Sequence, residues 1–421
     1  MRHSTERILT THAGSLPRPP DLLDMLAARE KGQPMDEAAR AARLPLAVKD
    51  VVQKQIELGI DIVDDGEYSK PSFVTYVNER LGGFEVDKEV QHRGPWVGSR
   101  EALAFPEFYA QGHVGARQNR MVCTGPVTYK GHALLERDIA NLKAAVGDAK
   151  VEVFMPAISP SNVEEWQRNA YYKTQEEYVF AIGEAMREEY EAIVTAGFLL
   201  QIDDPRLVSY YLVKPDASIQ ECRKWAAQRV EALNHALRNI PPSKIRHHTC
   251  YGINMGPRVH DMEVKHLLDI ILRIKAGAYS FEAANPRHEH EWKIWGSAKL
   301  PKDKVLIPGV ISHSTVLVEH PELVAERIGR FASLVGRERV IAGSDCGFAT
   351  FAASKEVHPS IVWAKLAALT EGARLASKEL WRKAGKKKVG RKKLKAATAK
   401  AGKRRGGATG SKAKKSRSSR R

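Results

Sequence analysis

Short apolar segments alternate along this chain with longer stretches in which apolar residues recur at helical spacing. That rhythm is the sequence pattern of βα units around a parallel sheet. The apolar segments are Ile8–Thr11, Ile60–Asp64, Val151–Ile158, Leu199–Asp203, Ile245–Cys250, Ala278–Glu282, Val305–Val310 and Val340–Gly343. Between them lie helix-like stretches such as Met35–Leu58, Glu177–Ala196 and Pro321–Val335. Eight strands with intervening helices over roughly 350 residues predict an α/β fold of the (β/α)8 TIM-barrel type rather than an open doubly wound sheet. The stretch from Gly82 to Gly115 breaks the rhythm with glycine, proline and aromatic residues, and Met121–Thr124 follows it. It reads as an insertion after the second βα unit. No internal repeat and no glycine-rich phosphate loop of the Rossmann or P-loop kind is present.

Charge changes the picture only at one end. The chain has 421 residues and a formal net charge of +17, yet residues 382–421 hold 19 of its 67 basic residues and no acidic one. The preceding body is near neutral, with 48 basic against 50 acidic residues. A segment of Lys, Arg, Ala, Gly and Ser has almost no apolar surface to bury, so disorder is expected there. The expected division is a barrel domain over 1–380 and a disordered Lys/Arg-rich tail over 381–421. Such a tail neutralises phosphates without reading bases, which makes non-specific polyanion binding its accessory role. A nucleic-acid-binding protein is the reading from another class, but the near-neutral body offers no second basic surface.

Four cysteines, Cys123, Cys222, Cys250 and Cys346, are too few and too scattered for a disulfide framework. A reducing compartment follows. With no apolar leader and no run long enough to span a bilayer, the expected location is cytoplasmic, with no membrane association.

The densest chemical signal lies at the predicted strand ends. Side chains alternate on a strand, so His248 and Cys250 point to the same side. Glu282 closes the next strand, and Cys346 follows the last one in the turn Gly343-Ser344-Asp345-Cys346-Gly347. In a barrel these ends converge on the C-terminal face, where active sites of the fold are built. Two thiols, an imidazole and a carboxylate suit tetrahedral Zn2+ and disfavour hard cations. The competing reading makes the cysteines small buried hydrophobes and the histidine a satisfied polar residue.

The segments His248-Thr249-Cys250-Tyr251, Ser280-Phe281-Glu282-Ala283-Ala284 and Asp345-Cys346-Gly347 resemble, in the same order, the three metal-binding segments of cobalamin-independent methionine synthase. Thr10-Thr11-His12-Ala13-Gly14-Ser15, Asp65-Gly66-Glu67-Tyr68 and Leu200-Gln201-Ile202-Asp203-Asp204-Pro205 resemble that family's first, second and fourth barrel strands. The resemblance implies a zinc-dependent methyltransferase, like 5-methyltetrahydropteroyltriglutamate-homocysteine S-methyltransferase, that methylates the thiol of homocysteine in methionine biosynthesis. It implies His248, Cys250, Glu282 and Cys346 as zinc ligands, Ser15, Glu67 and Asp203 as contacts for an amino-acid thiol, and His313 as an acid for the leaving group. His313 lies one place early relative to the family's histidine.

The match weakens toward the donor. The third-strand place reads Phe154-Met155-Pro156-Ala157-Ile158-Ser159-Pro160-Ser161-Asn162, whereas the family has Gly-Pro-Val-Thr followed by a tryptophan that stacks on the pterin. Gly125-Pro126-Val127-Thr128 has those letters one segment early. These departures resemble short single-barrel relatives, among them epoxyalkane:coenzyme M transferases and forms taking methyl groups from a corrinoid protein. The expected partners are therefore a small-molecule thiol and an alkyl donor, with a corrinoid protein as one source, and an epoxide:thiol alkyltransferase is the alternative activity. A metal-free decarboxylase of the uroporphyrinogen type shares the barrel topology and is a further rival.

Overall fold

A computed structural model of the chain describes residues 1–30, 33–89, 96–110, 120–252, 255–351 and 357–405, with side chains as far as Arg382. The eight predicted apolar segments all form strands: β1 (Leu9–Thr10), β2 (Ile62–Val63), β3 (Glu152–Ile158), β4 (Leu199–Asp203), β5 (Ile245–Thr249), β6 (Ala278–Phe281), β7 (Val305–Ile311) and β8 (Ile341–Ser344). Every neighbouring pair from β2 round to β8 is parallel, and β8 pairs in turn with β1. Across the remaining seam the Asp61 amide donates to the Thr10 carbonyl at 3.1 Å. Thr11 Oγ1 donates to the Ile62 carbonyl at 3.0 Å. The sheet is thus the (β/α)8 barrel that the alternation predicts.

Leu9, Ile62, Phe154, Leu199, Ala278, Val305, Ile307 and Ile341, drawn from seven of the strands, form one buried apolar cluster. Removing this surface from water is the main force closing the barrel. The helices start where their sequences supply caps. Asp36, Thr174 and Ser218 each accept an amide of the first turn of Glu37–Glu57, Gln175–Thr195 and Ile219–Ala236, and Ser218 with Glu221 completes a capping box. Pro321 opens the helix Pro321–Val335, where its missing amide donor costs nothing.

The insertion is more ordered than its composition suggests. Leu81–Val86 pairs antiparallel with Met121–Tyr129, which pairs in parallel with Arg168–Asn169. Gly83 has φ +85° and meets the Pro126 carbonyl so closely that an added Cβ would lie 2.4 Å from it, so only glycine fits this crossing. The Gly125–Thr128 letters therefore belong to this small sheet, and the third barrel strand is Glu152–Ile158. The small sheet begins between β2 and the helix His132–Val146 that returns the chain to β3.

The chain divides into two compact units, Met1–Ala376 and Ser377–Arg421. The last helix, Pro359–Arg405, continues past the change of composition at Arg382. The disorder expected for 381–421 falls mainly on side chains beyond Arg382 and on residues 406–421, which lie outside the described residues. Among the described residues no helix is long and apolar enough to cross a membrane.

Candidate active site

A cavity of about 350 Å³ opens at the C-terminal ends of the barrel strands, lined among others by Ser15, Glu67, Asp203, His248, Cys250 and Cys346. Six of the eight residues singled out from the sequence therefore share one cavity wall. Strand register explains part of this. Asp203 on β4 is the direct partner of His248 on β5, and His248 is the partner of Ser280 on β6.

A ring nitrogen of His248 and the sulfurs of Cys250 and Cys346 all lie within 4.8 Å of one another. His248 Nδ1 is 3.0 Å from Ser280 Oγ, which fixes the ring. Its Nε2 is buried with no hydrogen-bond partner. Burial, with Arg246 and His247 nearby, lowers the His248 pKa to about 3, so the ring is neutral at pH 7 and has a lone pair to give. The two sulfurs are 3.1 Å apart and both thiols are free. The hydrogen bond that the Cys346 thiol shares with Cys250, then burial, pushes that thiol well above its ordinary pKa. Three soft or borderline donors on a buried wall, one an orphaned imidazole nitrogen, fit Zn2+.

Cys346 reaches this wall through Asp345. The Asp345 carboxylate accepts the Ala283 amide at 2.7 Å, the Ala284 amide at 2.8 Å and Asn285 Nδ2 at 3.1 Å. That bracket ties the turn after β8 to the turn after β6. Gly309 leaves room for it, since a Cβ there would fall 2.0 Å from Asp345 Oδ1.

Glu282 is placed apart from the other three expected ligands. It lies outside the 4.8 Å group of ligand atoms. Its Oε1 accepts the Tyr251 amide at 2.8 Å, and its Oε2 accepts Asn285 Nδ2 at 2.7 Å. Arg258 completes the arrangement as an ion pair at 2.9 Å. Against the cost of burial, Arg258 and then His313 and His288 hold the Glu282 pKa below the ordinary carboxylate value. A guanidinium, an amide and an asparagine thus hold this carboxylate in place. His313 is 1% exposed, is not itself among the cavity-lining residues and feels the charge of Glu282. Burial lowers its pKa to about 4, so the ring is neutral at pH 7.

At the other end of the cavity two carboxylates differ in their company. Glu67 has φ +59°, a conformation that a side chain adopts at a cost. It is held there by three contacts: its amide donates to Asp65 Oδ1 at 2.9 Å, its carbonyl accepts from Arg18 at 2.8 Å, and its Oε1 pairs with Lys70 Nζ at 3.1 Å. Lys70, also buried, donates to the Pro156 carbonyl at 2.7 Å. Among the described residues Asp203 has no such cation in contact; its Oδ1 accepts Gln201 Nε2 at 2.7 Å. Burial, then the Glu67 charge, raises the Asp203 pKa well above normal, with Lys70 opposing.

Ser15 Oγ completes the lining, 3.4 Å from Thr350 Oγ1, and accepts the Ala349 amide at 3.4 Å. Gly347 passes so close that a Cβ there would lie 2.1 Å from Ser15 Oγ. Lys70, Asp345, Gly347 and Arg258 were not singled out from the sequence. Lys70, three residues after Glu67, was the one with a local signal.

Residues 8–369 match the family described as the cobalamin-independent synthase catalytic domain. The chain belongs to that family. Among similar proteins, a methionine synthase of Saccharolobus solfataricus is 26% identical over 388 residues, covering 89% of this chain and 96% of that protein. One from Thermococcus kodakarensis is 25% identical over 374 residues, covering 89% and 94%. A B12-independent methionine synthase from Shewanella, solved with selenomethionine, superposes with a TM-score of 0.69 at 21% identity over 89% of this chain and 99% of that one, which supports the fold. The family is cobalamin-independent by description, so the corrinoid donor expected above gains no support from it. The named relatives give none to an epoxide transferase either.

Proposed function

We propose that this member of the family transfers a methyl group to the thiol of homocysteine or a close amino-acid thiol, with a zinc ion held by His248, Cys250 and Cys346. One observation carries the reading: the His/Cys/Cys donors and the carboxylates of Glu67 and Asp203 line one buried cavity. A zinc ion bound there supplies the positive charge that keeps a thiol deprotonated, and hence nucleophilic, at neutral pH. The chain's own residues do the rest. Asp203 lacks a cation partner and offers its charge to the substrate ammonium. Glu67 adds its second oxygen, while Lys70 keeps the first in place. Ser15, held by the Ala349 amide, is a hydroxyl for the substrate carboxylate. Burial of the wall excludes water from the nucleophile. The methionine synthases that match over most of their length favour homocysteine as acceptor.

The test is a metal analysis of the purified protein, followed by assays of the zinc-loaded enzyme with homocysteine and with 1-propanethiol. Methyltetrahydrofolate triglutamate, methylcobalamin and an epoxide are offered in separate reactions. Homocysteine methylation that depends on zinc supports the reading. Turnover of propanethiol as efficient as that of homocysteine, or full activity in metal-free protein, overturns it.

A further inference from the structure

We propose that Arg120 and Arg206 form an anion subsite beside the thiol cavity that receives a carboxylate or phosphate of the methyl donor. The inference rests on the transfer reaction above for the identity of the ligand, but not for the existence of the site.

Arg206 is the first residue of the helix Arg206–Val213 and directly follows Pro205, which lines the cavity. Its Nε and one terminal nitrogen are buried and have no hydrogen-bond partner. Arg120 opens the inserted strand. Its guanidinium lies 4.1 Å from the centre of the Trp166 ring and donates to the carbonyls of Trp166 at 3.0 Å and Glu165 at 3.4 Å. Those two residues end the helix Pro160–Trp166, which packs against Arg206–Val213, and the two guanidinium charges are close enough to act on each other.

Neither arginine forms an ion pair with a carboxylate among the described residues, whereas the buried guanidiniums of Arg80, Arg229, Arg258 and Arg327 each do; Arg246, also unpaired with a carboxylate there, instead gives both terminal nitrogens to Thr11 and the His12 carbonyl. Glu165 acts on both only through space. Burial, then the charge of Arg206, lowers the Arg120 pKa to about 10, and burial lowers that of Arg206. A buried guanidinium with unpartnered nitrogens, as in Arg206, beside a second one that meets only carbonyls is rare unless an anion completes the pair. Guanidinium forks match planar carboxylates and phosphates. The acceptor's own charges are met by Asp203, Glu67 and Ser15 inside the cavity, which leaves this rim pair to the second substrate.

The experiment is calorimetric titration of the full-length zinc-loaded protein with tricarballylate, glutarate and inorganic phosphate, each with and without homocysteine. Saturable 1:1 binding of at least one of them is expected, retained in the presence of homocysteine. Arg120→Met and Arg206→Met should each weaken it at least tenfold, with zinc content and homocysteine affinity unchanged. Arg206→Lys keeps the charge without the fork and controls for folding, with an intermediate loss expected. A preference for the carboxylates or for phosphate identifies the donor's anionic group. No saturable binding, affinity unchanged in both Met variants, or displacement of the anion by homocysteine overturns the proposal. Anion held by the basic C-terminal run would be insensitive to both substitutions and so counts as unchanged affinity. If homocysteine fails to bind while the anion result stands, the transfer reading falls and the subsite does not.

Discussion

Replacing Asp203 by asparagine separates recognition from folding, because this carboxylate is costly to the empty protein and useful to the complex. It is 7% exposed and, among the described residues, its side chain meets no cation in contact and accepts from Gln201 Nε2 at 2.7 Å. The amide of Asp203→Asn keeps an oxygen for that bond, so the variant loses charge and little else. A charge-assisted hydrogen bond to a substrate ammonium is worth about 1.5–3 kcal/mol. At 1.4 kcal/mol per factor of ten, KM for homocysteine should rise about 10- to 150-fold. A thiol with no ammonium, such as 1-propanethiol, should show little change.

Stability should move the other way. The folded pKa of Asp203 is raised above its unfolded value, so its ionisation favours the unfolded chain. The wild type keeps its full stability below the unfolded pKa, near 3.9, and loses part of it as pH rises through the folded pKa. An amide does not ionise, and the Asp203→Asn variant should melt higher than the wild type at pH 7, by a margin that vanishes near pH 4. Thermal denaturation from pH 4 to 8 and steady-state kinetics with both thiols check this. Equal losses with the two thiols would refute the ammonium contact, and a lower melting temperature at pH 7 would refute the electrostatic argument.

Glu67→Gln should do the opposite to stability, because it strands Lys70 without its buried counter-ion; breaking such a pair costs about 3–5 kcal/mol, read by denaturant unfolding. Cys250→Ala and Cys346→Ala should each reduce zinc to well below one per chain by metal analysis, whereas Glu282→Gln should leave zinc content near that of the wild type. Asp345→Ala leaves the Ala283 and Ala284 amides unpaired, at about 1–3 kcal/mol each, and should speed zinc loss to a chelator. Gly347→Ala drives a methyl group into Ser15 Oγ and should raise KM for homocysteine, with the Ser15→Ala/Gly347→Ala pair recovering stability but not affinity.

The barrel and two of the three clustered donor residues were legible in the sequence from local periodicity alone. Alternation along Ile245–Thr249 puts His248 and Cys250 on one side without any knowledge of the rest of the chain. Cys346 is different: it lies past the end of β8, and only the bracket from Asp345 to the turn after β6, some 60 residues earlier, aims it at the other two donors. Glu282 shows the same dependence on a distant contact. Its position at a strand end was read correctly, but Arg258, on a loop 24 residues before it, claims the carboxylate. The insertion looked irregular because its order comes from pairing Leu81–Val86 with Met121–Tyr129 across a long connection, a contact that no short window contains. Lys70 shows where local reading had more to give. At three residues from Glu67 it was a visible partner, and it changes the meaning of the site: of the two cavity carboxylates, one belongs partly to the protein and the other is left for the substrate. A residue type therefore nominates a role, and the charge that faces it across the fold decides whether the role is filled.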